Sequence, residues 1–273
     1  MCANILNNSN DVELQGEIGG RAGTKMMAWL EAARLQRKHD DAAQTYDLAR
    51  QAFRLGSAGR PLVRDNAVWF GHKTPRHERH FKRYEAIFDD PDNRAIYVYC
   101  LRNPFDVWRS YRAMPWNKFK TVDEFLGAWL RSVRMYHAMA AKAPGRVLMF
   151  NLDAMLRAPD WMVYLRPTIF GPLEIHPDSF RRPLNGLGNT NSAERKHGAK
   201  PEPLSDHDRK VIASHPETRR IIETYFPWIE LGPADPSRRR LARHATGPFE
   251  RLRRATAQAF RGAGREWKRS RKA

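Results

Sequence analysis

Apolar and polar positions follow two different periods along this chain. Ala95 to Leu101 (AIYVYCL) is an unbroken β-branched and aromatic run, as expected of a parallel strand covered on both faces. Arg102, Asn103 and Pro104 follow at once, and Pro104 suits the first turn of a helix that runs on through Phe105 to Tyr111. Arg146 to Leu152 reads as a second strand. Ahead of it, Thr121 to Ala143 repeats Phe125, Trp129, Val133 and Tyr136 at helical intervals. Weaker strands are Ala67 to Gly71, just before Lys73-Thr74-Pro75, and Val12 to Gln15. Helical spacing also marks Met26 to Arg37, Asp41 to Leu55 and Leu204 to Tyr225, the last with Ser205 as its cap and Asp208 three residues on. Strands alternating with helices predict an α/β protein with a mostly parallel sheet. Ligands of such sheets sit beyond the carboxyl ends of the strands, and Glu17, Lys73 and Arg102 fall there. Pro183 to Pro203 has no periodicity and reads as a long loop, a class that is usually functional or disordered.

Composition narrows the class. With 273 residues, 41% hydrophobic and 29% charged, the chain can bury a good core and is not expected to be disordered throughout. It has no apolar run of the roughly 20 residues a membrane span needs, and Met1 to Asn10 lacks a basic segment ahead of an apolar one. Neither an anchor nor a secretory signal is expected. Cys2 and Cys100 are far apart, without the pattern of a disulfide framework or a zinc site, so a cytoplasmic location is the default. His77-Glu78-Arg79-His80 spaces its histidines by three where the zinc helix motif needs four, and no metal is expected.

The formal charge is +18, from 48 Lys plus Arg against 30 Asp plus Glu. Ser237 to Ala273 holds thirteen basic and two acidic residues, a net +11, which leaves +7 for residues 1–236. Gly232-Pro233-Ala234-Asp235-Pro236 reads as a helix stop and linker, so the chain divides into a domain over 1–236 and a basic tail over 237–273. The moderate charge of the body suits an anionic ligand as well as nucleic acid, and no specific nucleic acid is expected.

Taken singly, the candidate residues are weak. Arg102 with Ser110 eight residues on could converge on one phosphate, yet pairing of Arg102 with Asp106 and solvation of Ser110 is the simpler reading. Lys73 at a strand-end turn suits a point charge on a transferring group, and Glu17 after its strand suits a general base.

Together they resemble a known family. Lys73-Thr74-Pro75, the apolar Ala95 to Leu101, Arg102-Asn103-Pro104-Phe105-Asp106-Val107 and Ser110 are similar to the sulfotransferases that use 3′-phosphoadenosine 5′-phosphosulfate (PAPS). The likeness extends over roughly residues 5–230. Asn8 to Glu17 resembles the segment carrying the base of protein-tyrosine and some carbohydrate sulfotransferases, Arg146 to Pro159 a Tyr-Glu-Asp-Leu strand and turn, and Arg195-Lys196-His197-Gly198 a basic Arg-Lys-Gly loop with His197 inserted.

The resemblance implies a three-layer sandwich of the P-loop NTPase type, with PAPS as co-substrate and no metal. It implies Glu17 as base and Lys73 facing the sulfuryl group, with Arg102, Ser110, Arg195, Lys196 and Gly198 holding the adenosine 3′-phosphate. The acceptor would be a hydroxyl or amine of a carbohydrate or other small metabolite. The alternative is a relative impaired in catalysis that acts as a binding protein. A nucleotide kinase is disfavoured, since no Gly-x-x-x-x-Gly-Lys-Ser/Thr loop occurs.

The family's phosphosulfate loop should precede Asn8 by about twenty residues, so an N-terminally incomplete domain that binds PAPS weakly is expected. In the competing reading Gly20-Arg21-Ala22-Gly23-Thr24-Lys25 is itself that loop, ahead of a helix from Met26, where backbone N–H groups could cradle phosphate.

If helical from Pro248, the tail places Phe249, Leu252, Phe260 and Trp267 opposite most of its arginines, a pattern suited to the surface of an anionic membrane, which would make the protein peripheral. A polyanion would also be drawn to it, and a solvated, disordered tail is the plainer alternative. Deletion of 237–273 is expected to abolish co-sedimentation with anionic liposomes, and undiminished binding would end the membrane reading.

Overall fold

A computed structural model describes residues 1–18, 20–36, 42–57, 60–88, 94–184, 187 and 201–232. The 236/237 boundary and the tail lie outside these residues. The described residues form two compact units, one within 1–118 and 131–203, the other within 119–130 and 204–232.

The first unit carries the strands. Helix α1 (Cys2–Leu6) leads to β1 (Val12–Gln15), then α2 (Gly20–Gln36), α3 (Ala42–Gly56) and β2 (Trp69–His72). A 3-10 turn (His77–His80) opens α4 (Phe81–Ile87), followed by β3 (Tyr97–Leu101) and α5 (Pro104–Arg112). Helix α6 (Val122–Lys142) begins in the second unit and ends in the first, ahead of β4 (Val147–Asn151), α7 (Leu152–Arg157) and α8 (Trp161–Leu165). Helices and short parallel strands make the fold α/β. β1 pairs in parallel with β2, Val12 opposite Trp69 through Gln15 opposite His72, and β3 with β4, Tyr97 opposite Val147 through Leu101 opposite Asn151. Among the described residues these are two separate two-stranded sheets, where the sequence pattern suggested one.

Strand β1 shows how this unit is held. Its apolar positions, Val12 and Leu14, join a core with Ile5, Leu148, Phe150, Met155 and Ile169. Its polar positions, Glu13 and Gln15, are just as buried on the other side of the strand. Burying a carboxylate is costly unless it is paired and hydrogen-bonded. Glu13, whose side chain is 1% exposed, accepts from Arg54 at 2.7 and 2.6 Å, from Arg50 at 2.9 and 3.2 Å and from the Arg64 N–H at 3.1 Å. Gln15 accepts from the Leu62 N–H and donates to the Leu62 carbonyl. Helix α3 and the 62–64 segment are thereby tied to β1. A second, partly buried pairing acts on the other sheet, where Arg146 ahead of β4 and the Tyr97 hydroxyl of β3 both donate to Glu85 of α4.

Two expectations are corrected. Helix α2 starts at Gly20, not Met26, so Gly20 to Lys25 is its first turns and not a loop. Packing explains Gly23, where a Cβ would lie 3.0 Å from both Cγ2 and the carbonyl oxygen of Ile18. In the second unit the single terminal helix is two, α9 (Asp206–Ser214) and α10 (Pro216–Tyr225). Pro216 lacks an N–H and disfavours helical geometry at His215, which is extended and caps α10 instead. Ser205 caps α9 through the Asp208 N–H, as its spacing indicated. Among the described residues no helix is long and apolar enough to cross a membrane.

Burial alone would raise the Glu13 carboxyl, but the hydrogen bonds from Arg54, Arg50 and Arg64 outweigh it and hold it at about 2. An unfolded glutamate titrates near about 4.3, so this contribution, roughly 3 kcal/mol, is complete above about pH 5 and is lost as the pH falls toward 2. Glu13→Gln is expected to lower unfolding free energy by roughly 3–5 kcal/mol in urea titrations and to flatten stability across that acid window. A wild-type midpoint in the variant would contradict the assignment.

Candidate active site at the strand ends

Parallel pairing puts the carboxyl ends of β1 and β2 side by side, and the residues that leave them meet although they are far apart in sequence. The Lys73 N–H donates to the Gln15 carbonyl at 3.0 Å, carrying the ladder one step past β2. The Lys73 ammonium lies 2.5 Å from Glu17 Oε1, with the two side chains 45% and 52% exposed. The two sequence candidates for chemistry are therefore in contact.

The adjoining backbone is fixed. Ile18 is 1% exposed, bridges Ser57 in antiparallel fashion and donates its N–H to Thr74 Oγ1 at 2.9 Å. The Ser57 hydroxyl accepts from the Gly16 N–H at 3.1 Å. Both neighbours of Glu17 are thus anchored while its carboxylate stays at the surface.

At the end of β3, Asn103 caps α5 by accepting from the Asp106 N–H at 2.9 Å, with Pro104 in the first turn as the sequence indicated. Arg102 lies between two carboxylates, Asp153 at 3.5 Å and Asp106 at 3.7 Å, and keeps a third of its side chain exposed. The local pairing with Asp106 is real, and it is joined by a longer-range one. Ser110 is half-buried near the end of α5, two helical turns from the Asn103 cap.

Asp153 was not singled out by sequence reasoning. It follows β4 on α7 and accepts the Asn103 N–H at 2.6 Å, locking the turns after β3 and β4 together. Burial raises its carboxyl above the usual range, against the opposing pull of that N–H and of Arg102. Its position just past the carboxyl end of a predicted strand was the available signal.

The Cys100 thiol on β3 is lowered by a hydrogen bond from Cys2, with the chain's amino terminus and the Lys73 ammonium acting the same way. Lys73 follows β2 and Arg102 follows β3, so each cation stands at the carboxyl end of a strand. Arg195, Lys196 and Gly198 lie outside the described residues. Among the described residues no group of three or more His, Cys, Asp or Glu side chains could hold a metal ion.

The model of the sulfotransferase family matches residues 4–163, a span that includes Glu17, Lys73, Arg102 and Ser110. No curated protein and no solved structure matches the chain.

Asp153→Ala would leave the buried Asn103 amide without its acceptor and Arg102 without one of its counter-ions. A loss of about 2–4 kcal/mol is expected by urea denaturation, with Asp153→Asn, which can still accept, losing less. Equal stability of all three proteins would rule out this role.

Proposed function

The chain belongs to the sulfotransferase family, and on that premise we propose that it transfers a sulfuryl group from PAPS to a hydroxyl or amine of a small-molecule or carbohydrate acceptor. The family's three-layer, P-loop-like architecture is part of this reading. The observation that carries it is the meeting of Lys73 with Glu17 at adjacent strand ends.

The chain's own groups suit a multiply anionic donor. Lys73 is a compact charge on a flexible stem, fit to follow a moving group, whereas Arg102 is a planar fork held by Asp106 and Asp153 and fit to hold a fixed phosphate. Ser110 would add a hydroxyl to that hold, and Arg195, Lys196 and Gly198 would close on the same phosphate. Bound PAPS supplies the sulfuryl group in activated form.

Glu17 takes the proton of the acceptor hydroxyl or amine as that atom bonds to sulfur. Lys73 faces the negative charge that develops as the bond from sulfur to the 5′-phosphate oxygen breaks, its electron pair staying on the phosphate. This stabilisation acts mainly in the transition state, where it accelerates the reaction.

Before reaction the two groups neutralise one another. An ion pair about half exposed contributes only roughly 0–1 kcal/mol. Transfer of the ammonium from Glu17 to an anionic donor therefore costs little and leaves the carboxylate free to act as base.

Following radiolabelled sulfuryl transfer from PAPS to a panel of hydroxyl and amine acceptors tests this. Lys73→Ala is expected to lower kcat by about 10²–10³-fold, and Glu17→Gln by about 10²–10⁴-fold, with donor KM little changed. Arg102→Ala is expected to raise donor KM by about tenfold or more. Transfer unaffected by Lys73→Ala and Glu17→Gln would overturn these roles, and donor binding without transfer by the wild-type chain would favour a binding protein of the same family.

A further inference from the structure

Behind Lys73 and Glu17 runs a row of polar side chains with no assigned part in the chemistry. Thr74 Oγ1, which accepts the Ile18 N–H, lies 2.9 Å from His72 Nδ1. His72 Nε2 is 2.7 Å from the Tyr84 hydroxyl, and the same hydroxyl is 2.7 Å from His77 Nδ1. His72 is wedged edge-on against Phe53 and His77, with ring centroids 4.7 and 5.0 Å apart.

Both imidazoles are neutral at ordinary pH. Burial, then the neighbouring His77, holds His72 down to about 3, and burial, then His80, holds His77 down to about 4. A neutral imidazole has one donor and one acceptor nitrogen, and a tyrosine or threonine hydroxyl has one hydrogen. With the Tyr84 hydrogen used within the row, the row runs in a single direction. Either Thr74 donates to His72, His72 to Tyr84 and Tyr84 to His77, or every bond is reversed. In both directions the Thr74 oxygen still accepts from Ile18, and each member fixes the orientation of the next.

One end of this arrangement adjoins the reacting groups. Ile18 follows Glu17, and Thr74 follows Lys73. The bond between them is a clasp joining the two strand-end turns, and Ile18 is further confined because a Cβ at Gly23 or Gly56 would lie 3.0 or 3.3 Å from its side chain.

We propose that Thr74 is a positioning residue for sulfuryl transfer, its hydroxyl setting the placement of Glu17 relative to Lys73, and that His72, Tyr84 and His77 form the row that orients that hydroxyl. This rests on the catalytic reading of Glu17 and Lys73. An ammonium and a base misplaced by about 1 Å can cost on the order of 10²-fold in rate, so a single hydroxyl at this point has leverage without touching substrate.

Three variants test it, with transfer kinetics and hydrogen exchange of the Ile18 amide as readouts. Thr74→Val keeps the shape and removes the acceptor. It is expected to lower kcat by about 10–100-fold with donor KM changed less than about threefold, and to remove protection of the Ile18 amide. Thr74→Ser is expected to restore both. Tyr84→Phe retains the buried ring and removes the oxygen shared by the two imidazoles, and it is expected to lower kcat by about three- to tenfold at constant donor KM. If Thr74→Val does not fold, Tyr84→Phe decides the matter by the same kinetic criterion. Wild-type kcat in Thr74→Val, or in Tyr84→Phe where that variant decides, while Lys73→Ala is inactive, overturns the positioning role and leaves the catalytic reading standing. Full transfer by Lys73→Ala overturns the catalytic reading, and the positioning role falls with it.

Discussion

A carboxylate held in the interior organises the strand-bearing unit. Glu13 sits mid-strand on β1 and is satisfied by two guanidinium groups of α3 and the backbone N–H of Arg64. A buried charge with partners missing costs several kcal/mol. The strand can therefore occupy only the position in which all of these donors reach it, and its register against β2 follows. The two polar residues of β1 thus specify geometry, while the apolar Val12 and Leu14 on the opposite face supply burial.

From that register the site follows by short steps. Gln15 lies opposite His72, so the residues that follow the strands, Gly16 to Ile18 on one side and Lys73 and Thr74 on the other, emerge together. Ile18 and Thr74 turn inward and are pinned, while Glu17 and Lys73 turn outward. Alternation of side-chain direction continues past the strand ends and separates the anchored Ile18 and Thr74 from the exposed Glu17 and Lys73. At β3 the pattern recurs, with Asn103 inward as a cap and as a donor to Asp153, and Arg102 beside it partly exposed.

The ion pairs divide in the same way. Glu13 with Arg50 and Arg54 is sheltered, strong and suited to permanence, whereas Lys73 with Glu17 is half in water and weak. A charge that must exchange partners during a reaction belongs in the second class. Arg102 lies between them, fixed by two carboxylates yet with a third of its side chain exposed.

Much of the local structure was legible in the residues alone. The apolar run before Arg102, the Pro104 helix start, the amphipathic 122–142 helix and the Ser205 cap express backbone preferences and burial periods that a few neighbouring residues decide. The strand-end placement of Glu17, Lys73 and Arg102 followed from those elements. What sequence pattern could not supply was the identity of distant partners. Glu13 looked like one polar position in a weak strand, and its importance arises from arginines 37 and 41 residues away. Asp153 matters only because β4 lies beside β3. The contact of Glu17 with Lys73, across 56 residues, depends on a parallel register that no local period encodes. Chemistry-bearing residues and the elements under them were therefore determined by sequence, because dihedral preference and burial are local. Which of those residues meet was decided only by tertiary structure, because it depends on closing long loops around a charge that had to be satisfied.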